Sequence, residues 1–162
     1  SINNEKDNII TEGISDYNYI KGYFHLKGKN NIPNIIPSVS VDNINNIASI
    51  LIGWGCNFKI ILDQDNSGRK QYKLLTEKLG IDPLLIVFVN GEKSPNKQNN
   101  FTIEDVFSDN DKNKIGINND DYNNEKAYYS LEVLKKIEKG ELEYDNETLK
   151  NFDIIMRNLF EK

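Results

Sequence analysis

Phe58-Lys59-Ile60-Ile61-Leu62-Asp63-Gln64-Asp65-Asn66-Ser67-Gly68 is the stretch that decides the fold. Its first half is an almost unbroken apolar run stopped by an acid. Such a run reads as a strand covered on both faces, the habit of parallel sheets. Ser67-Gly68 then opens a helix carried by Tyr72, Leu75 and Leu79 to Gly80. Upstream, Asn8-Ile9-Ile10-Thr11 ends in Glu12-Gly13, and Ser15 is placed to cap a helix with apolar positions Tyr19, Ile20, Tyr23 and Phe24. Ile35-Ile36 and Val39 form a second extended piece. From Asp42, the residues Ile44, Ile47, Ala48, Leu51 and Ile52 give a helical stripe closed by Gly53 and Gly55. A fourth strand, Leu84 to Val89, follows Pro83. Strands alternating with helices predict an α/β fold: a doubly wound, parallel four-stranded sheet with helices on both faces.

Downstream the composition changes. Residues 93–124 read as a polar inserted loop with one ordered island, Phe101-Thr102-Ile103-Glu104-Asp105-Val106-Phe107, and with Asp109, Asp111, Asp120 and Asp121 facing solvent. Residues 125–162 read as a C-terminal helical pair packed on the core at the sheet edge. Ala127, Tyr128, Leu131 and Leu134 mark one helix and Leu149, Phe152, Met156 and Leu159 the other, with Gly140 between them. Residues 1–92 are then the α/β core. The polar start, Asn3-Asn4-Glu5-Lys6-Asp7, reads as a domain cut from a longer chain.

Composition narrows the function. With 162 residues, 38% apolar and 28% charged, the chain fills one core. No apolar run approaches the roughly 20 residues of a membrane helix, so a soluble, cytoplasmic protein without membrane contact is expected. The single cysteine, Cys56, precludes an internal disulfide or a thiolate zinc site. A net charge of -5 gives no long-range attraction for a polyanion, so a nucleic-acid partner must be met by local geometry or by a bound cation.

In open α/β sheets ligands bind beyond the carboxyl ends of the strands. Glu12 closes the first strand, with Asp16 four residues on; Asp63 and Asp65 close the third. In a 2-1-3-4 strand order these strands are neighbours, so all four carboxylates meet at one rim. In Asp63-Gln64-Asp65 the alternate acids leave the strand on the same side. An oxygen-only cluster suits Mg²⁺ or Mn²⁺ rather than zinc. The competing reading makes these acids helix caps and solvated loop residues. Other features carry less. His25 lies beyond the apolar helix face; Tyr17, Tyr19 and Tyr23 suit packing; Trp54 suits a cover over the sheet end. Gly22 to Gly28-Lys29 is one residue too long for a phosphate loop, and Asn30 replaces its Ser or Thr, so no nucleotide site is expected.

Glu12-Gly13-Ile14-Ser15-Asp16 together with Ile60 through Gly68 resembles the EGxxD and DxDxxG motifs of the Toprim domain, shared by type IA and II topoisomerases, bacterial primases, recombination mediators and the OLD (overcoming lysogenization defect) nucleases. Gly53-Trp54-Gly55, the island around Glu104 and the closing helical pair are similar to the nuclease half of OLD-type ATP-dependent endonucleases. The resemblance implies metal-dependent hydrolysis of DNA by two Mg²⁺ or Mn²⁺ ions. It implies Glu12, Asp16, Asp63, Asp65 and Glu104 as ligands, with Glu12, Asp63, Asp65 and the basic Lys126 in catalysis; Lys93 and Lys97 are further candidates to face phosphate. It further implies an ATPase domain elsewhere in a parent chain, through which homo-oligomers form. Where many OLD relatives carry a Gly-rich stretch, this chain has Ser38-Val39-Ser40-Val41-Asp42. The alternative function is a non-catalytic Toprim module for protein assembly or DNA tethering; primase-type nucleotidyl transfer lacks a zinc-binding segment or basic flank here.

Overall fold

The computed structural model describes residues 7–28, 31–40 and 42–161. Residues 3–6, read above as the start of an excised domain, lie outside the described residues, as do Lys29, Asn30 and Val41. The chain runs β1 (Asn8–Thr11), α1 (Ile14–Lys27), β2 (Asn34–Pro37), α2 (Asn43–Gly53), β3 (Phe58–Leu62), α3 (Asn66–Lys73), β4 (Ile86–Phe88), α4 (Asp109–Ile115), α5 (Lys126–Glu138) and α6 (Asn146–Phe160). The sheet order is β2-β1-β3-β4 and every pairing is parallel. The fold is therefore α/β with a four-stranded parallel sheet.

Parity along the strands divides the core in two. Ile9, Ile61 and Val87 pack with Tyr19, Tyr23 and Phe24 of α1, Val133 and Ile137 of α5, and Phe152 and Met156 of α6. The alternate residues Ile10, Ile60, Leu62, Ile86 and Phe88 pack with Ile44, Ala48 and Leu51 of α2 and with Leu75. Both faces are thus covered, which is why the strands read as continuous apolar runs. At the β2 edge, the Asn34 and Ser38 amides donate to Asp7 and Thr11. Pro37 falls on the outward parity, where its missing N–H costs no ladder bond.

Several local expectations change. Gly13, not Ser15, caps α1, because Asp16 reaches back to accept from the Gly13 amide at 3.0 Å. Val39 lies beyond β2, 77% exposed and at φ 67°. The fourth run is strand only over Ile86–Phe88; Pro83 at the head of the run turns Pro83–Leu85 into a 3-10 turn. Trp54, expected as a cover over the sheet end, is 61% exposed at the end of α2.

The polar stretch holds more structure than its composition suggests. It contains α4 and two 3-10 turns, Ile103–Val106 and Tyr122–Asn124. Asp111, expected in solvent, is fully buried: it accepts from the Asp145 amide at 2.9 Å and lies 3.1 Å from the Lys114 ammonium. Ser108 caps α4 and bonds the Asp145 side chain, so α4 is tied to the start of α6. In α5 the buried face is Ser130, Val133, Leu134 and Ile137; Tyr128 and Leu131 look outward. That face lies on α1 rather than at the sheet edge, while α6 reaches β4. Gly22 makes the close approach possible, since a Cβ there would stand 2.8 Å from both Ile137 Cδ1 and the Tyr144 hydroxyl oxygen.

Phe152 joins α6 to the core through the rings of Tyr23, Phe107 and Tyr144, at centroid distances of 5.3, 5.7 and 5.6 Å. Phe152→Ala is expected to cost about 3–5 kcal/mol, the usual range for emptying a buried aromatic site. Urea unfolding checks this; a loss below about 1 kcal/mol would mean that α6 is not part of the cooperative core.

Candidate functional site

The register between β1 and β3 sets Thr11 opposite Ile61, so Glu12 and Asp63 leave neighbouring strands at the same rim. Glu12 Oε1 accepts from the Asp63 amide at 3.0 Å. Beneath them Gly68 lies in the first turn of α3, where a Cβ would stand 1.8 Å from the Asp63 carbonyl oxygen and 3.0 Å from Glu12 Oε1. Only glycine admits this approach. Asp65 caps α3 by accepting from the Gly68 amide at 2.8 Å, and Asp16 holds the start of α1 as described.

Asp63 Oδ1 accepts from the Ile103 amide at 3.0 Å, and Gln64 exchanges two backbone bonds with Phe101. These contacts carry the 3-10 turn bearing Glu104 to the end of β3. Glu104 Oε1 lies 3.0 Å from the Lys126 ammonium at the head of α5 and accepts from the Tyr122 hydroxyl at 3.2 Å. Thus Glu12, Asp16, Asp63, Asp65, Glu104 and Lys126 gather around one end of the sheet. Lys93 is held elsewhere, 3.4 Å from the Leu84 carbonyl at the opposite end of β4, and Lys97 is exposed.

The competing reading of these acids as caps is correct for Asp16 and Asp65, and each of the four strand-end acids holds a backbone amide. Among the described residues, no group of three or more His, Cys, Asp or Glu side chains is arranged to hold a metal ion. The acids nevertheless strain one another. Burial, then the charges of Asp63 and Asp65, push Glu12 up to about 8 against the bond from the Asp63 amide. Burial and the charges of Glu12 and Glu104 push Asp16 up to about 7. Burial, then Asp16, Glu104 and Asp65, push Asp63 up to about 9. Glu104 differs: burial raises it, but Lys126 and hydrogen bonds outweigh burial and hold it below the usual value. No ion pair among the described residues involves Glu12, Asp16, Asp63 or Asp65.

Chemically, the arrangement is a set of oxygen donors that, once deprotonated, carries more negative charge than Lys126 compensates. Glu12 Oε2, Asp63 Oδ2 and Asp65 Oδ2 accept no hydrogen bond among the described residues, so each acid keeps an oxygen for a ligand. Oxygen donors are the kind a hard divalent cation takes, although the carboxylates are not gathered into a ready metal group among the described residues.

Three residues important to the site were not singled out from sequence. Gln64 is fully buried between the two acids, and its side chain bonds Glu92, the Ser94 carbonyl and the Asn96 amide. Arg69 bonds the Asn96 carbonyl and the side chains of Asn66 and Asn100. Together they fasten the 92–101 loop beside Asp65. Tyr122, an aromatic residue alone in an Asn/Asp-rich run, is buried under Glu104 and Lys126; that isolation was its one sequence signal.

No family model, curated protein or solved structure matches this chain. The electrostatics can be tested directly. Glu12, Asp16 and Asp63 have folded values above their unfolded ones near 4.5, 3.8 and 3.8, so the folded state holds protons that the unfolded chain has released. Stability from these groups is full below about pH 4 and is lost as pH rises through about 7 to 9. With chelator present, Tm is expected to fall between about pH 5 and pH 9, and Asp63→Asn should flatten the decline. A Tm that rises over this interval would contradict the coupling.

Proposed function

We propose that the chain is a Toprim-type nuclease domain of the OLD kind, hydrolysing DNA phosphodiesters with Mg²⁺ or Mn²⁺. The observation that carries this reading is the carboxylate group itself: Glu12 and Asp63 bonded across adjacent parallel strands, with the charges of Asp16, Glu104 and Asp65 raising the proton affinity of Asp63. The strand order and the positions of the EGxxD and DxDxxG motifs support it further.

Glu12, Asp16, Asp63, Asp65 and Glu104 would hold two ions. When bound, Mg²⁺ or Mn²⁺ supplies a nucleophile at neutral pH and neutralises charge on the phosphate. Glu12 and Asp63 are fixed by backbone amides, so their remaining oxygens are presented with little rotational freedom. Lys126 offsets negative charge that builds on the phosphate oxygens. Tethered cations also answer the net charge of -5, because they reverse the local potential where a polyanion lands. An ATPase domain of a parent chain, and homo-oligomers formed through it, belong to the same proposal, as does a cytoplasmic setting. Among the described residues no helix is long and apolar enough to cross a membrane.

The rival, a non-catalytic module for protein assembly or DNA tethering, draws on the backbone caps that the acids provide and on the lack of a ready-made metal group among the described residues. Metal linkage separates the two. At a hundredfold excess over Kd, Mn²⁺ is expected to raise Tm by about 5–10 °C. The double change Asp63→Ala with Asp65→Ala should remove that rise. With Mn²⁺ the protein should cut DNA, and Glu12→Gln should lower cutting by about a hundredfold or more. No metal-dependent cleavage of single-stranded, duplex or supercoiled DNA would leave the assembly module as the better reading.

A further inference from the structure

We propose that Tyr122 is the positioning residue of this site, fixing Glu104 through its hydroxyl and Lys126 through its ring. The inference rests on the metal-site reading above. Glu104 sits on a single 3-10 turn and Lys126 on the first residue of α5, so neither backbone is held within a long element. Their own ion pair is partly open, with the lysine side chain 42% exposed. The ammonium end of that pair is free to move in solvent, so the pair alone does not fix the lysine's position. Beside the hydrogen bonds that Glu104 takes from the Thr102 side chain and its own amide, the aromatic residue beneath both groups contacts each of them.

Tyr122 is buried and donates to Glu104 Oε1 at 3.2 Å. Its hydroxyl proton is thereby committed, so in the 2.9 Å contact with Tyr19 the Tyr19 hydroxyl is the donor. Tyr19 is a core residue of α1, and the Tyr144 hydroxyl donates to its backbone carbonyl at 2.9 Å. A chain of bonds therefore runs from the core to the metal-facing carboxylate. The Lys126 ammonium stands 5.8 Å from the centroid of the Tyr122 ring, within cation–π range. The ring faces the cation and the hydroxyl faces the acid. One side chain with two torsions thus sets the spacing of a ligand and a phosphate-facing lysine. Outer partners of this kind typically govern metal affinity by about 10- to 100-fold.

The test compares two hydroxyl deletions in the same hydrogen-bonded pair. Tyr122→Phe and Tyr19→Phe each break the contact between the two rings, but only the first removes the donor to Glu104. Mn²⁺ affinity is read from the Tm rise as the ion is titrated, and DNA cleavage is measured alongside. Tyr122→Phe should need about tenfold more Mn²⁺ for the half-maximal Tm rise, with a parallel rise in the Mn²⁺ needed for cleavage. Tyr19→Phe should stay within about twofold of the parent. Should Tyr122→Phe fail to fold because the Tyr19 hydroxyl is orphaned, the double variant carrying both changes removes both buried hydroxyls and still lacks the donor. Its Mn²⁺ requirement should match the tenfold rise.

Equal effects of Tyr122→Phe and Tyr19→Phe, or none from Tyr122→Phe or the double variant, would overturn the positioning role while leaving the metal site intact. A parent protein without any Mn²⁺-dependent Tm rise or cleavage would overturn the metal-site reading itself, and the role of Tyr122 with it.

Discussion

The bond from the Asp63 amide to Glu12 Oε1 depends on β1 and β3 being nearest neighbours in a parallel sheet, and much of the site depends on that bond. The order β2-β1-β3-β4 reverses direction at this pair: the chain goes outward from β1 to β2, then returns across β1 to β3. At such a point the two crossover connections diverge and open a crevice at the carboxyl ends of the strands. The first acid and the acid pair stand on either side of it. Gly68 completes the constraint, because any side chain there would collide with the Asp63 carbonyl and force β3 and α3 apart.

Packing explains why so polar a rim is tolerated. The sheet is buried on both faces by unbroken apolar contact, and the acids begin only where the strands end. Their mutual repulsion is therefore borne by a core that does not depend on them. Protonation relieves part of it in the metal-free protein, as the raised values of Glu12, Asp16 and Asp63 indicate. Lys126 relieves Glu104 alone. The remaining imbalance is what the proposed cation would relieve.

The core was legible because apolar period and burial agree there: β1, β3, α1 and α2 fall where the runs Asn8–Thr11 and Phe58–Leu62 and the stripes through Tyr19 and Ile44 place them. The bonding partners of Glu12 and Asp63 were not legible, because a carboxylate that accepts from an amide of another element leaves no trace in composition. The region after Gly91 was hidden for a different reason. Its Asn, Asp and Lys residues suggest solvent, yet Asp111 is buried by a partner 34 positions away and Gln64 fastens a loop some 30 residues downstream. Polar residues satisfied over such distances look like loop residues until the fold is known. On α5 the heptad-like choice of Tyr128 and Leu131 failed because Ser130, small enough to meet Asn18 of α1 at 3.0 Å, takes the inward position.

The two readings of the acids, caps or ligands, are not exclusive once each carboxylate is considered oxygen by oxygen. Asp65 uses Oδ1 to start α3 and Asp63 uses Oδ1 to hold the turn that brings in Glu104. Glu12 spends Oε1 on the neighbouring strand. Each bond fixes the carboxylate plane and so aims the second oxygen. Preorganisation of this kind lowers the cost of gathering like charges when a ligand arrives, since the rotamers are already paid for by folding. It also separates charge from shape chemically: an amide side chain retains one oxygen acceptor for the backbone bond while removing the negative charge. The contribution of these residues to the fold and their contribution to a bound cation therefore lie on different oxygens of the same group.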